Sequence, residues 1–160
     1  MNIETEIIPG HRLRDFVFSE TDTRRGIDNT PDSETIDRIV ISARTILAPI
    51  EQRFGPMRIT SWYRSPDLCA ALGSSRTSNH TMGDTGDFEP VDHHTAKLLD
   101  IARFIVDEIP FRELIAEYWP QGWIHCCSRP ASNIRVMKLK DKDHHYTRTT
   151  MRMLDEMYNF

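Results

Sequence analysis

An α+β fold is the class this sequence predicts: a small antiparallel sheet carrying a chemically rich loop, flanked by helices. Three observations predict it. Apolar residues recur at spacings of three and four over residues 30–54 and again over 95–109, the period of amphipathic helices. Residues 57–63, 112–118 and 122–127 are short and bounded by turn residues, with the period-two alternation of strands. Between these segments lies Ser78-Asn79-His80-Thr81-Met82-Gly83-Asp84-Thr85-Gly86-Asp87-Phe88, where an imidazole, carboxylates and two glycines crowd together.

Taken in order, residues 1–29 are mixed in character, with Leu13, Phe16 and Val17 as expected anchors, and form a wrap on a single domain of residues 1–160. Thr30-Pro31-Asp32-Ser33-Glu34 is a helix start, with proline at the first helical position and acids in the first turn. The stripe Ile36, Val40, Ala43, Leu47, Ile50 and Phe54 carries that helix to its stop at Gly55-Pro56. A strand at 57–63 and a short helix from Ser65-Pro66 to Gly73 deliver the chain to the loop. Beyond it, Ala96, Leu99, Ile101, Ala102, Ile105 and Val106 mark a helix over 95–109 that covers one face of the sheet. Two strands joined through Pro120-Gln121-Gly122 follow. Period two puts Glu113, Ile115 and Glu117 on one face of the first, and Trp123, His125 and Cys127 on one face of the second. A further strand at 134–139, a charged turn at 140–145 and a terminal helix over about 147–158 complete the reading.

The loop reads as a metal site. His80 and Asp87 are seven apart and cannot share a helix face, whose neighbours sit three or four apart. Gly83 and Gly86 let the backbone fold back and bring both side chains to one point. Catalytic zinc takes three protein ligands and leaves a fourth position for water, so another histidine is needed, and His125 is the candidate. Each residue also has a plainer reading. His80 could be a capped loop histidine, Asp87 a turn carboxylate like Asp84, and His125 strand packing. Glu117 could be a solvated strand residue beside Glu113, and Arg64 the ion-pair partner of Asp67. The pairs His93-His94 and His144-His145 sit among charged turn residues and are expected to be solvated.

Composition narrows the function classes. Twenty Lys and Arg against 24 Asp and Glu give a net charge of -4, which argues against a nucleic-acid surface working by bulk charge. No apolar run approaches a membrane span, and the first residues lack the pattern of a signal peptide, so synthesis in the cytoplasm is expected. Cys69, Cys126 and Cys127 are odd in number and lack a Cys-x-x-Cys spacing, so free thiols are expected, with Cys126 facing the core.

The motifs resemble the D-Ala-D-Ala carboxypeptidase-like zinc peptidases of peptidoglycan metabolism. That superfamily includes D-Ala-D-Ala dipeptidases, D,D-carboxypeptidases and the L-alanyl-D-glutamate peptidases used as phage endolysins. Ser78-x-His80-x2-Gly83-x3-Asp87 resembles its first signature and Trp123-x-His125 its second. Ile59-Thr60-Ser61-Trp62-Tyr63-Arg64-Ser65-Pro66, with Ser19-Glu20-Thr21 and Gly26-Ile27-Asp28-Asn29-Thr30-Pro31, resembles the small single-domain branch common in phages and prophages. The resemblance spans most of residues 12–127 and implies the Hedgehog/D,D-peptidase-like zinc fold. It implies one catalytic zinc on His80, Asp87 and His125, and Glu117 as general base. It further implies that Arg64 steadies the tetrahedral intermediate and that Ser78, the motif serine, meets the substrate. Two departures stand out: Glu117 lies farther before Trp123 than the superfamily places its acid, and Thr85 stands where alanine is usual.

Three functions follow from different classes. The first is a zinc peptidase cutting peptidoglycan stem peptides or cross-links, as a phage or prophage endolysin or a virion-associated lysin. It would be monomeric and without nucleic-acid or membrane partners, and would act on the wall after release or within a virion. The second is an inactive structural or binding module on the same fold. The third is a zinc peptidase or amidase acting on a small intracellular peptide.

Overall fold

The structure is a computed structural model that describes residues 1–128 and 135–158. The chain opens with a small hairpin, β1 (Glu6–Ile8) and β2 (His11–Arg12), followed by short helices α1 (Leu13–Val17) and α2 (Glu20–Arg25). Leu13, Phe16 and Val17 are buried, as their apolar character predicts. Helix α3 (Ser33–Ser42) starts at Asp32, whose side chain accepts the Thr35 amide as an N-cap, so Pro31 lies just before the helix and not in its first turn.

The predicted long helix does run to Phe54, but through a π turn over Ala43–Leu47 before α4 (Ala48–Phe54). Pro49 supplies the reason. It has no amide hydrogen and its ring would crowd the carbonyl four residues back, and the wider turn just before it relieves both constraints. The extra residue shifts the phase of the stripe. Thr35, Ile39, Ser42, Ala43, Ile46, Leu47 and Ile50 are buried, while Ile36, Val40 and Phe54 are only partly so.

After β3 (Met57–Ser61), Ser65 caps α5 (Pro66–Ala71) by accepting the Leu68 amide, and a 3-10 turn (Asn79–Met82) leads into β4 (Thr85–Pro90). Helix α6 spans Leu98–Glu108, starting later than the spacing predicts because Thr95 and Ala96 hydrogen-bond back to the Asp92 carbonyl in a turn. β5 (Glu113–Glu117), β6 (Trp123–Cys127), β7 (Val136–Lys140), β8 (Tyr146–Arg148) and α7 (Met151–Tyr158) follow.

Six strands form one sheet in the order β3-β4-β6-β5-β7-β8. The expectation of an antiparallel sheet needs one correction: β7 pairs parallel to β5, so the sheet is mixed. β6 already occupies one edge of β5, so the returning chain crosses over and joins the other edge. The predicted terminal helix is also shortened. Residues 146–148 pair with β7 as a strand, and the helix begins at Met151, where the Thr150 hydroxyl accepts the Met153 amide. Ile134, the predicted start of β7, lies outside the described residues.

The two faces of the sheet divide as period two requires. Phe88, Leu114, Ala116, Ile124 and Cys126 are fully buried in one cluster with Ile39, Ile46 and Leu47 of the first long helix and Ile101 and Ile105 of α6. The opposite face carries Asp87, His125, Glu113, Glu117, Lys138 and Lys140, and it lines an open cleft of about 1250 Å³. All three cysteines are free and buried, and burial pushes the Cys126 thiol well above its ordinary pKa.

Candidate metal centre

Three strands and one turn bring the site together. Asp87 stands directly across from His125 in the β4-β6 pairing, and His125 across from Ile115 on β5. His80 arrives from the 3-10 turn, which Gly83 ends at φ +77, where a Cβ would also strike Thr35 and Ile39. Gly86 does a different job from the one its sequence position suggests. Its backbone is that of a strand, and it must be glycine because a Cβ would sit 2.2 Å from the Trp62 ring.

His80 Nε2 lies 3.3 Å from Asp87 Oδ2, and His125 Nδ1 lies 2.7 Å from Asp87 Oδ1. One ligand atom from each of the three falls within 4.8 Å of the others, the one such group of His, Cys, Asp and Glu among the described residues. Both imidazoles and the carboxylate are buried. The donor set fits zinc, whose bonds of about 2.0–2.2 Å set neighbouring donors roughly 3.3 Å apart in a tetrahedron. One further observation agrees with that fit. His80 Nδ1 is 2.6 Å from the Trp62 carbonyl, which can only accept, so Nδ1 carries the proton and Nε2 presents its lone pair. On His125 it is Nδ1 that faces Asp87, while Nε2, at the other side of the ring, is buried without a hydrogen-bond partner among the described residues.

The electrostatics of the triad are those of a cation site. Burial pushes the His80 imidazole below its ordinary pKa despite the neighbouring Asp87 charge. Burial also opposes protonation of His125, but the hydrogen bond to Asp87 and the charges of Asp87, Glu117 and Glu113 outweigh it and lift the pKa. Burial alone would raise Asp87, yet the two imidazoles hold its carboxyl far below the usual carboxylate range. Negative charge thus converges on this point from Asp87, Glu117 and Glu113, as a cation site requires.

Around the triad the remaining sequence candidates fall as follows. Arg64 lines the cleft and its Nη2 donates to Asp87 Oδ2 at 3.2 Å, while Asp67, the alternative partner, pairs with Arg76. Ser78 lines the cleft at the start of the 3-10 turn. Glu117 is buried on the same face, and its Oε2 accepts from Lys140 Nζ at 2.9 Å. No described residue donates to the other oxygen, Oε1. Glu113 differs on that point: Asn79 Nδ2 occupies Oε1 at 3.0 Å and Lys138 Nζ occupies Oε2 at 2.5 Å, although Oε1 also comes within 3.9 Å of His125 Nε2. Among the histidine pairs, His93, His94, His144 and His145 are all exposed, and His144 meets the Tyr118 hydroxyl at 3.0 Å on the cleft wall.

The Peptidase M15 family matches residues 11–127. The chain belongs to that family. M15 peptidases are zinc-dependent metallopeptidases acting on peptides, and the His80, Asp87 and His125 group can hold the metal. No curated protein matches the chain. No helix among the described residues is long and apolar enough to cross a membrane.

Two supports of the M15 site escape a reading by motif. Trp62 is buried at 1% exposure, and its indole Nε1 donates to Ser42 Oγ at 3.0 Å and to the Gly83 carbonyl at 3.2 Å. Ser42, a polar residue in an apolar stripe, was the available signal, because a buried hydroxyl needs partners. The second support is the pair Lys138 and Lys140, whose spacing of two repeats along β7 as Glu113, Ile115 and Glu117 repeat along β5.

Proposed function

We propose that this chain is a zinc peptidase that hydrolyses peptide bonds in bacterial peptidoglycan, in the manner of a phage or prophage endolysin or a virion-associated lysin. The observation that carries this reading is the convergence of His80, Asp87 and His125 on the floor of an open cleft, with an unengaged carboxylate oxygen of Glu117 on the same face. Zinc, when bound by these three side chains, supplies a Lewis acid that polarises the scissile carbonyl and acidifies water.

The chain's own residues do the rest. Glu117 Oε1 takes the proton of the attacking water and passes it to the leaving amine, while Lys140 holds Oε2 and fixes the direction in which Oε1 is presented. Burial tends to neutralise Lys140, but the hydrogen bond it donates to Glu117 raises its pKa, so it stays charged through the working range. Arg64 orients the Asp87 carboxylate in the resting site and offers a second guanidinium edge to the oxyanion that develops on the substrate. Ser78 contacts the substrate backbone from the cleft wall. Trp62, through its carbonyl, keeps His80 in the tautomer that a metal requires.

Digestion of purified murein by the zinc-loaded protein, followed by mass spectrometry of the released fragments, tests the proposal. Fragments differing from the intact stem by a defined amino acid or peptide are expected and name the bond. A folded, zinc-loaded protein that releases none overturns the reading and leaves a binding module on the M15 fold.

A further inference from the structure

One transverse row crosses the cleft face of the sheet. Strand pairing sets Asp87 beside His125, His125 beside Ile115, and Ile115 beside Lys138. The next row runs from Trp123 to Glu117, Lys140 and Tyr146. Lys138 therefore stands two strands from His125, about 10 Å at the usual interstrand spacing. An extended peptide covers that span in about three residues.

The charges along the rows cancel in pairs. Arg64 meets Asp87, Lys138 meets Glu113 and Lys140 meets Glu117. A divalent metal in the triad is then an uncompensated positive charge, and the cleft becomes polarised. Asp15 and Glu20 line the wall near β3, whereas Lys138 and Lys140 line the wall near β8. Both ammonium groups are held in place. The Tyr146 ring lies 5.9 Å from Lys138 Nζ and 5.4 Å from Lys140 Nζ, and Tyr118 lies 5.6 Å from Lys140 Nζ. The Lys138 ammonium gives one donor to Glu113 and has two more to offer, and its side chain remains 34% exposed, whereas Lys140 is engaged by both Glu117 and Tyr146. Among the residues that line the cleft these are the cations nearest the edge strand; Arg148, which follows Lys138 in its row on β8, does not line it. They also lie beyond residue 127, where the family match ends.

We propose that Lys138, supported by Lys140 and Tyr146, binds the free C-terminal carboxylate of the peptide substrate, within about three residues of the cut. The bound peptide then points its carboxylate toward β7 and β8 and away from Asp15 and Glu20. This assignment of substrate class rests on the peptidase reading, and the experiment separates the two.

A stem-type pentapeptide with a free C-terminal carboxylate and its C-terminal carboxamide are titrated into the zinc-loaded protein by calorimetry, and both are then assayed for cleavage. The acid should bind about tenfold more tightly than the amide. Lys138→Met should bring the two within about twofold, and Lys138→Arg, which keeps the charge, should retain most of the preference. Lys138 is the position to vary because its loss leaves the Glu117 and Lys140 pair intact. Acid preference that disappears in Lys138→Met, with no cleavage of either peptide by the unmodified protein, keeps the carboxylate site and removes the peptidase. Equal binding of both peptides by the unmodified protein overturns the carboxylate site, and cleavage of both at equal rates does so while leaving the peptidase standing. An acid preference that survives Lys138→Met unchanged also overturns it, and failure to bind or cut either peptide overturns both.

Discussion

The two halves of the sheet are built to different standards. All six residues of β4 are buried, and in β5 and β6 every residue but the first is buried too. β7 is half-buried throughout and β8 is exposed throughout. The candidate ligands and Glu117 stand on the first group or against it, flanked by paired strands, while Lys138, Lys140 and Tyr146 stand on the second, at the sheet edge. The family match covers the first group and stops before the second. The difference teaches where each demand can be met. Groups that must be placed within a fraction of an ångström need close-packed neighbours on every side. Groups that sort substrates can sit at an edge, where exchange costs the fold little.

The comparison fails first if the buried half does not hold the metal. His80→Ala and His125→Ala should each reduce zinc from one per chain to near none and remove all measurable murein hydrolysis. Elemental analysis showing full zinc in either variant would place the centre elsewhere.

Within the buried half, Glu117 and Glu113 can be set against each other. Glu117→Gln should keep its zinc and its fold while kcat falls about 100-fold or more. Glu113→Gln should stay within a few-fold of the unmodified protein, because both of its oxygens already hold Asn79 and Lys138 in place. The reverse ranking in a steady-state assay would transfer the proton-handling role to Glu113.

Stability should follow the same division. Phe88→Ala removes a fully buried ring stacked on Trp62 and should cost about 3–5 kcal/mol in urea unfolding. Tyr146→Ala, at 55% exposure, should change it by no more than about 0.5 kcal/mol. Equal losses would mean that the edge is as demanding as the centre.

The smallest expected effect lies outside the sheet. His11 Nε2 meets Glu51 Oε1 at 2.9 Å, and that hydrogen bond, against the opposing effect of burial, raises the imidazole pKa. A histidine whose folded pKa exceeds its unfolded value of about 6.5 stabilises fully below that pH and loses the contribution as pH rises through the folded value. The melting-temperature advantage of the unmodified protein over His11→Gln should therefore be about 2 °C near pH 5.5 and shrink as pH rises through the folded value. An advantage that grows with pH would refute the pairing as a source of stability.

The sequence carried the local features and missed those that depend on distant partners. Period two correctly grouped Glu113, Ile115 and Glu117 on one face of β5 and Trp123, His125 and Cys127 on one face of β6, because alternation in a strand needs no knowledge of its neighbours; the pairing register then puts the two groups on the same side. The convergence of His80, Asp87 and His125 was legible as a motif. The parallel placement of β7 was not, since only the prior occupation of the other edge of β5 by β6 decides it. Nor was the strand at 146–148, which exists through pairing with β7, nor the partner of Arg64, which lies 23 positions away at Asp87 and not three away at Asp67. The π turn was in principle readable, because Pro49 stands in plain view inside the stripe.

Trp62 joins two parts of the molecule that the sequence keeps apart. Its ring meets Phe16 of α1 edge-on at 5.0 Å, and its carbonyl fixes His80 at 2.6 Å. Docking of the first helix and occupancy of the metal triad therefore share a residue, and any free energy that passes between them must pass equally in both directions. A metal that tightens the His80 end of Trp62 tightens the hold on the amino-terminal segment by the same factor, and a chain shorn of that segment gives the factor back as weaker affinity. Phe16 and His80, 64 positions apart in the sequence, thus meet the ring and the carbonyl of one tryptophan.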